Sequence, residues 1–129
     1  MKKIGILFNI LFSLVVYMLG GFDSLIKSLL VIMVIDYITG VIKAIYYKNF
    51  SKKINIKGIL KKFGYLIIVA LATVIDTCFS IDSMALRTVV LYFFIVNESM
   101  SIIENWASLG LPLPNKLYEV LNKLKENNN

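Results

Sequence analysis

The chain has 129 residues, 58% of them hydrophobic and only 17% charged, with a formal net charge of +6 and a mean hydropathy of +0.77. A soluble domain is roughly 45–50% apolar with about a quarter of its residues charged, so this composition excludes an ordinary water-soluble globule and selects a bilayer as solvent. Four spans of about 20 residues take about 80 positions and leave no room for a separate soluble catalytic domain.

The first apolar stretch, 4–19, follows Lys2-Lys3 and precedes Gly20-Gly21. A basic start and a short apolar run also describe a secretory signal peptide, whose removal would leave a three-span chain. Small residues for a cleavage site are poorly placed, however, and Gly5, Asn9, Ser13 and Tyr17 recur at four-residue intervals. Such a stripe suits a helix packed on neighbours, so a retained first span is the expectation.

The second stretch, 25–47, opens after Asp23, a residue able to cap it. On it Asp36, Thr39, Gly40 and Lys43 share one face at i, i+3, i+4, i+7. The connection that follows carries Lys52, Lys53, Lys57, Lys61 and Lys62, with Ile56, Ile59, Leu60 and Phe63 again at helical spacing. This pattern predicts a short basic amphipathic helix lying on anionic lipid of the inner leaflet; the alternative is a solvated charged loop.

The third span, 63–79, has a polar face of Thr73, Asp76, Thr77 and Ser80, and Asp82 in the next turn can cap the fourth span, 85–103. That span carries Arg87, Asn97, Glu98 and Ser101, and the stripe continues through Glu104, Asn105 and Ser108. Gly110, Pro112 and Pro114 stop the helix, and from Asn115 a new one can restart with Leu117, Val120, Leu121 and Leu124 on one face. That face can lie on lipid or pack on a neighbour.

Lysines crowd the N-terminus, the middle connection and the tail, whereas the other two connections carry only Lys27 and Arg87. The positive-inside rule then places both termini and the middle connection in the cytoplasm, with Tyr46, Tyr47, Phe50 and Trp106 as an inner aromatic belt. The expected architecture is an all-α integral membrane protein of helical hairpins. It has four transmembrane helices, or three if the first is removed, plus a basic amphipathic helix and a C-terminal amphipathic helix. Residues 1–110 form the membrane domain and 111–129 a cytoplasmic tail.

Each ionisable group at bilayer depth costs roughly 2.5–3.5 kcal/mol on insertion scales and should find a partner or water. Equal distance from a shared turn predicts that Asp76 pairs with Arg87, and similar reasoning pairs Lys43 with Glu98. Asp36 is left near the midplane without an opposite charge, with Asn9 and Ser13 as its candidate partners. The polar faces are either satisfied interhelical hydrogen bonds or the walls of a water-filled opening, and the residues alone do not separate these readings.

The chemistry of enzymes is poorly served. There is no His, which removes His-based triads, metal sites and proton relays. Cys78 is alone, and no Gly-rich phosphate loop appears. No catalytic residue, cofactor or metal ligand is expected, and the lysines do not interleave with aromatics in the manner of a nucleic-acid surface.

Three patches stand together in order: Asp36-x-x-Thr39-Gly40-x-x-Lys43-Ala44; Lys57-Gly58-Ile59-Leu60-Lys61-Lys62; and Glu98-x-x-Ser101-Ile102-x-Glu104-Asn105 running to Gly110-x-Pro112-x-Pro114. They span nearly the whole chain and resemble the toxin-secretion and phage-lysis holin family of clostridia and their phages, the TcdE-like holins. The resemblance implies a non-enzymatic protein of the bacterial cytoplasmic membrane that forms homo-oligomers and opens a lesion for an endolysin or a large toxin. Asp36, Thr39, Gly40, Lys43, Glu98, Ser101, Glu104 and Asn105 of these patches, together with Asp76 and Arg87 from their shared depth, are the membrane-embedded positions expected to serve assembly or function. A small ion channel or transporter, or an accessory membrane subunit, would use similar buried charges.

Overall fold

The structure, a computed structural model, describes residues 1–48 and 52–127. Phe50 of the expected aromatic belt lies outside them, as do the side chains of Lys52 and Lys53. The described residues are helical with no strand: α1 (Lys2–Met18), α2 (Ser24–Tyr46), α3 (Lys52–Cys78), α4 (Ala85–Ser108) and α5 (Asn115–Asn127). Among the described residues three helices are long and apolar enough to cross a membrane, over Ser24–Tyr46, Asn55–Cys78 and Asp82–Ser108.

α1 has 17 residues, about 25 Å of rise, at the lower limit of what spans a bilayer. None of its residues is buried. α2 starts as the sequence predicts, with the Asp23 carboxylate accepting from the Ile26 N–H at 3.1 Å.

α3 differs from expectation. The basic amphipathic segment is not a separate surface helix but the opening turns of one continuous 27-residue helix. No proline interrupts it, and the stripe Ile56, Leu60, Phe63 and Ile67 runs exposed along its whole outer side. The same periodicity that marks a surface helix therefore serves as the lipid-facing edge of a span.

The turn between α3 and α4 is tight. Ser80, Ser83 and Met84 all have φ between 51° and 58°, a left-handed region disfavoured for L-residues. Asp82 falls in a single 3₁₀ turn, and the start of α4 receives no side-chain cap from the residue before it. The cap predicted from Asp82 is supplied instead by Asp76, whose two carboxylate oxygens accept from the N–H groups of Leu86 (3.1 Å) and Arg87 (2.8 Å). Those donors are among the first four of α4, which have no partner inside the helix.

α4 is the central element, packed against α2, α3 and α5, while α1 touches α3 lightly. An apolar core of Leu19, Ile26, Leu29, Met33, Tyr65, Val69, Leu91 and Phe94 fills the half of the bundle nearer the α1–α2 and α3–α4 turns. Within it the Tyr65 and Phe94 rings stack with centroids 4.1 Å apart. The other half, toward the α2–α3 connection, mixes polar side chains with the buried Val96, Met100 and Ile103 of α4. At that end the Tyr46 and Tyr47 rings meet edge to face, the Tyr47 hydroxyl donates to the Ser108 carbonyl, and Trp106 Nε1 donates to the Pro112 carbonyl at 2.8 Å.

Candidate functional site

Two polar constellations stand at different depths of the bundle, one midway along it and one at the end formed by the α1–α2 and α3–α4 turns. The first is at mid-depth. Asp36 lies ten residues before the end of α2, Lys62 ten after the start of α3 and Glu98 ten before the end of α4. Each is thus about 15 Å of helix rise from the same end of the bundle, half of a hydrocarbon core roughly 30 Å thick. At that level Lys62 Nζ bridges both carboxylates, 2.7 Å from Asp36 Oδ2 and 2.5 Å from Glu98 Oε2. The three side chains are 16%, 13% and 3% exposed respectively.

Around this bridge the stripes of α2 and α4 interlock. Asn105 donates to Asp36 Oδ1 (3.3 Å) and to the Thr39 hydroxyl (3.1 Å). Gly40 faces the same side chain, and a Cβ there would make ordinary van der Waals contact with Asn105 Nδ2 at 3.7 Å. Asn97 donates to the Tyr65 hydroxyl at 2.8 Å. Between the bridge and the α2–α3 end lies an open cavity of about 480 Å³; Gly40, Ser101, Glu104, Asn105, Lys61 and Lys125 are among the residues lining it.

The second constellation centres on Arg87, the chain's single arginine, which is 3% exposed. Its guanidinium donates to the Leu19 carbonyl (2.6 Å) and the Gly21 carbonyl (3.4 Å), and grips Asp23 through two nitrogens at 2.8 and 3.2 Å. This forked, bidentate geometry is what arginine offers and lysine does not. Asp23 sits outside the spans, and its hydrogen bonds with Arg87 hold its carboxyl below the usual carboxylate range. Gly20 has φ +86°, and a Cβ there would lie 2.6 Å from Arg87 Nε. The Arg87 fork thus pins the α1–α2 turn onto the first turn of α4.

Several sequence-based pairings are corrected by this geometry. Asp76 and Arg87 do meet, but the carboxylate takes the Arg87 backbone N–H while the guanidinium turns to Asp23. Glu98 pairs with Lys62 rather than Lys43. The reason is depth: α4 extends to Ser108, so Glu98 lies about 15 Å from the end, whereas Lys43, three residues from the end of α2, lies about 4.5 Å away. Lys43 makes no ion pair among the described residues. Asp36, expected to lack an opposite charge and to meet Asn9 or Ser13, is bound by Lys62.

Lys62 itself, expected with Lys57 and Lys61 on lipid, is turned into the bundle. Lys57 and Lys61 are exposed, with Lys61 Nζ 5.8 Å from the Tyr65 ring centroid. Of the expected positions, Asp36, Thr39, Gly40, Glu98, Ser101, Glu104 and Asn105 come together at the mid-depth site; Asp76 and Arg87 lie at the end formed by the turns; Lys43 joins neither. The roles of Lys62, Asp23 and Gly20 were not anticipated. A lone arginine among lysines, beside Gly-Gly-x-Asp in the opposite connection, was the available signal for the last two.

A family model described as the bacteriophage holin family matches residues 13–126. An uncharacterised protein of Clostridium perfringens (strain 13 / Type A) is 38% identical, covering 98% of this chain and 93% of that protein. An uncharacterised protein of Listeria innocua is also 38% identical, over 92% of this chain and 83% of its own. A protein named probable holin, from Bacillus phage phi105, is 34% identical over 78% of this chain and 73% of its own. No solved structure matches.

Proposed function

The chain belongs to the bacteriophage holin family, whose members form membrane pores and are not enzymes, and on that premise we propose that it assembles into lesions of the bacterial cytoplasmic membrane. The lesion passes an endolysin to the wall or a large toxin out of the cell. The observation that carries this reading is the groove beside the Asp36–Lys62–Glu98 bridge. Its inner wall is satisfied: among the described residues no buried side-chain polar atom lacks a partner. Its rim is not covered, because Glu104 and Lys61 are exposed and Ser101 is half-buried. The groove runs from mid-depth toward the end where α5 supplies Lys125, and in a single copy its deeper polar wall adjoins hydrocarbon, where a charged group costs roughly 2.5–3.5 kcal/mol. An assembly of copies covers or hydrates it.

The arrangement in the membrane follows the lysines: both termini and the α2–α3 connection are cytoplasmic, with their cations on anionic lipid. α1 acts as a fourth span, supported by its apolar and wholly unburied surface, with α2, α3 and α4 as the other three.

Inducible expression in a bacterial host tests the proposal, following growth, membrane potential and release of a folded cytoplasmic reporter enzyme. Abrupt growth arrest with reporter release is expected. Ion leakage with the reporter retained would make the protein a small channel. Neither effect, with copurification of a larger membrane protein, would make it an accessory subunit. Labelling of a cysteine at position 55 in a Cys78→Ser background checks the topology, and access from outside would overturn it.

A further inference from the structure

The C-terminal helix α5 is amphipathic, yet the bundle uses only one side of it. With Leu117 set at 0° and about 100° per residue, Leu121 falls near 40° and Lys125 near 80°. Leu121 is half-buried, and Lys125 reaches the rim of the mid-depth groove. This side therefore faces the rest of the protein. The apolar edge beside it is left open: Leu117, Val120 and Leu124, at about 0°, 300° and 340° on the same wheel, are 47%, 48% and 44% exposed.

The charges around that edge are sorted by sign. Lys116 and Lys123 fall near 260° and 240°, within about 95° of the edge's centre, whereas Glu119 and Glu126, near 200° and 180°, lie about 135–155° from it. Lysine stems flanking an apolar edge place their ammonium groups at headgroup level while the stems cover hydrocarbon. Acidic groups on the far side are left in water. The helix also begins where a membrane surface is expected, because Pro112 is tied to Trp106 of the aromatic end of the bundle.

We propose that α5 lies in the plane of the membrane surface, with Leu117, Val120 and Leu124 in the acyl boundary and Lys116 and Lys123 on anionic phosphate headgroups. The anchor requires only that α2, α3 and α4 span the bilayer, so it stands or falls separately from lesion formation. An apolar edge flanked by cations on one side and backed by anions on the other is matched by an anionic leaflet.

The test uses the full chain with Cys78→Ser, carrying a polarity-sensitive fluorophore on a single cysteine at position 120 or 126. It is reconstituted in phosphatidylcholine vesicles with or without phosphatidylglycerol. With phosphatidylglycerol, the probe at 120 is expected to shift to the blue and to be quenched several-fold more by a shallow lipid-borne quencher than the probe at 126. Omitting phosphatidylglycerol, raising salt, or combining Lys116→Glu with Lys123→Glu should lose much of that difference. The salt series on the native lysines settles the matter should the double variant fail to insert. Equal spectra at 120 and 126 would overturn the proposal. So would a shift at 120 that ignores lipid charge and salt and accompanies crosslinking of position 120 to a second copy, which would make the occupant another protomer.

Discussion

Replacing Lys62 by methionine keeps an unbranched side chain one atom shorter and removes its charge, leaving Asp36 and Glu98 at mid-depth without their shared cation. Both ion-pair contacts are short, 2.7 and 2.5 Å, and Glu98 is 3% exposed, so water offers little compensation. Deleting one partner of a buried pair typically costs about 3–5 kcal/mol, and here two carboxylates lose it together. Against a total stability of roughly 5–15 kcal/mol, Lys62→Met is expected to remove a third or more of the fold's margin. Reduced membrane abundance and a lower midpoint in detergent-solubilised thermal unfolding would report it. Neutralising the carboxylates in the same chain, as Asp36→Asn/Lys62→Met/Glu98→Gln, leaves polar groups without unpaired charge and should restore most of the loss. Positive coupling of at least about 1–3 kcal/mol between the substitutions is the expected signature of direct contact. A Lys62→Met protein as stable as the parent, or a triple variant no better than the single one, would refute the bridge.

Gly20→Ala forces a side chain into a left-handed position, about 1–2 kcal/mol, and drives a methyl into Arg87 Nε; a combined loss of about 2–4 kcal/mol in the same unfolding assay is expected. Asp76→Ala uncaps α4 and should cost about 1–2 kcal/mol, with Asp76→Asn recovering part of it because one acceptor oxygen remains. The Asp23–Arg87 contact sets a pH dependence. Because the folded pKa of Asp23 is lowered, its contribution is fully present above the unfolded carboxylate value of about 3.9 and is lost as pH falls through the lower folded value. The Asp23 side chain is 48% exposed, so solvent screening keeps that contribution to a fraction of about 1 kcal/mol. Unfolding midpoints of the parent and Asp23→Asn should therefore differ by a constant amount from pH 5 to 8 and converge below pH 4.

Much of the helical architecture is legible because its causes are local. Apolar runs set α2 and α4, Asp23 caps α2 through the next turn's N–H, and Gly110 with Pro112 and Pro114 ends α4. The polar stripes also mark which faces meet, since Asp36, Thr39, Gly40 and Asn105 do interlock. What the sequence conceals is depth. Lys62 stands beside Lys61 and near Lys57, and nothing local separates the one that turns inward from those that stay exposed. The distinction arises because α3 continues unbroken from Lys52, which carries Lys62 to the level of two carboxylates on other helices. Likewise α4 runs five residues past its apolar stretch to Ser108, which sets Glu98 about 7.5 Å further from the helix end and at the level of Lys62, not Lys43. In a bilayer a charge is sorted by its height before its neighbours, so ion pairs become readable only when helix ends are placed to within one turn.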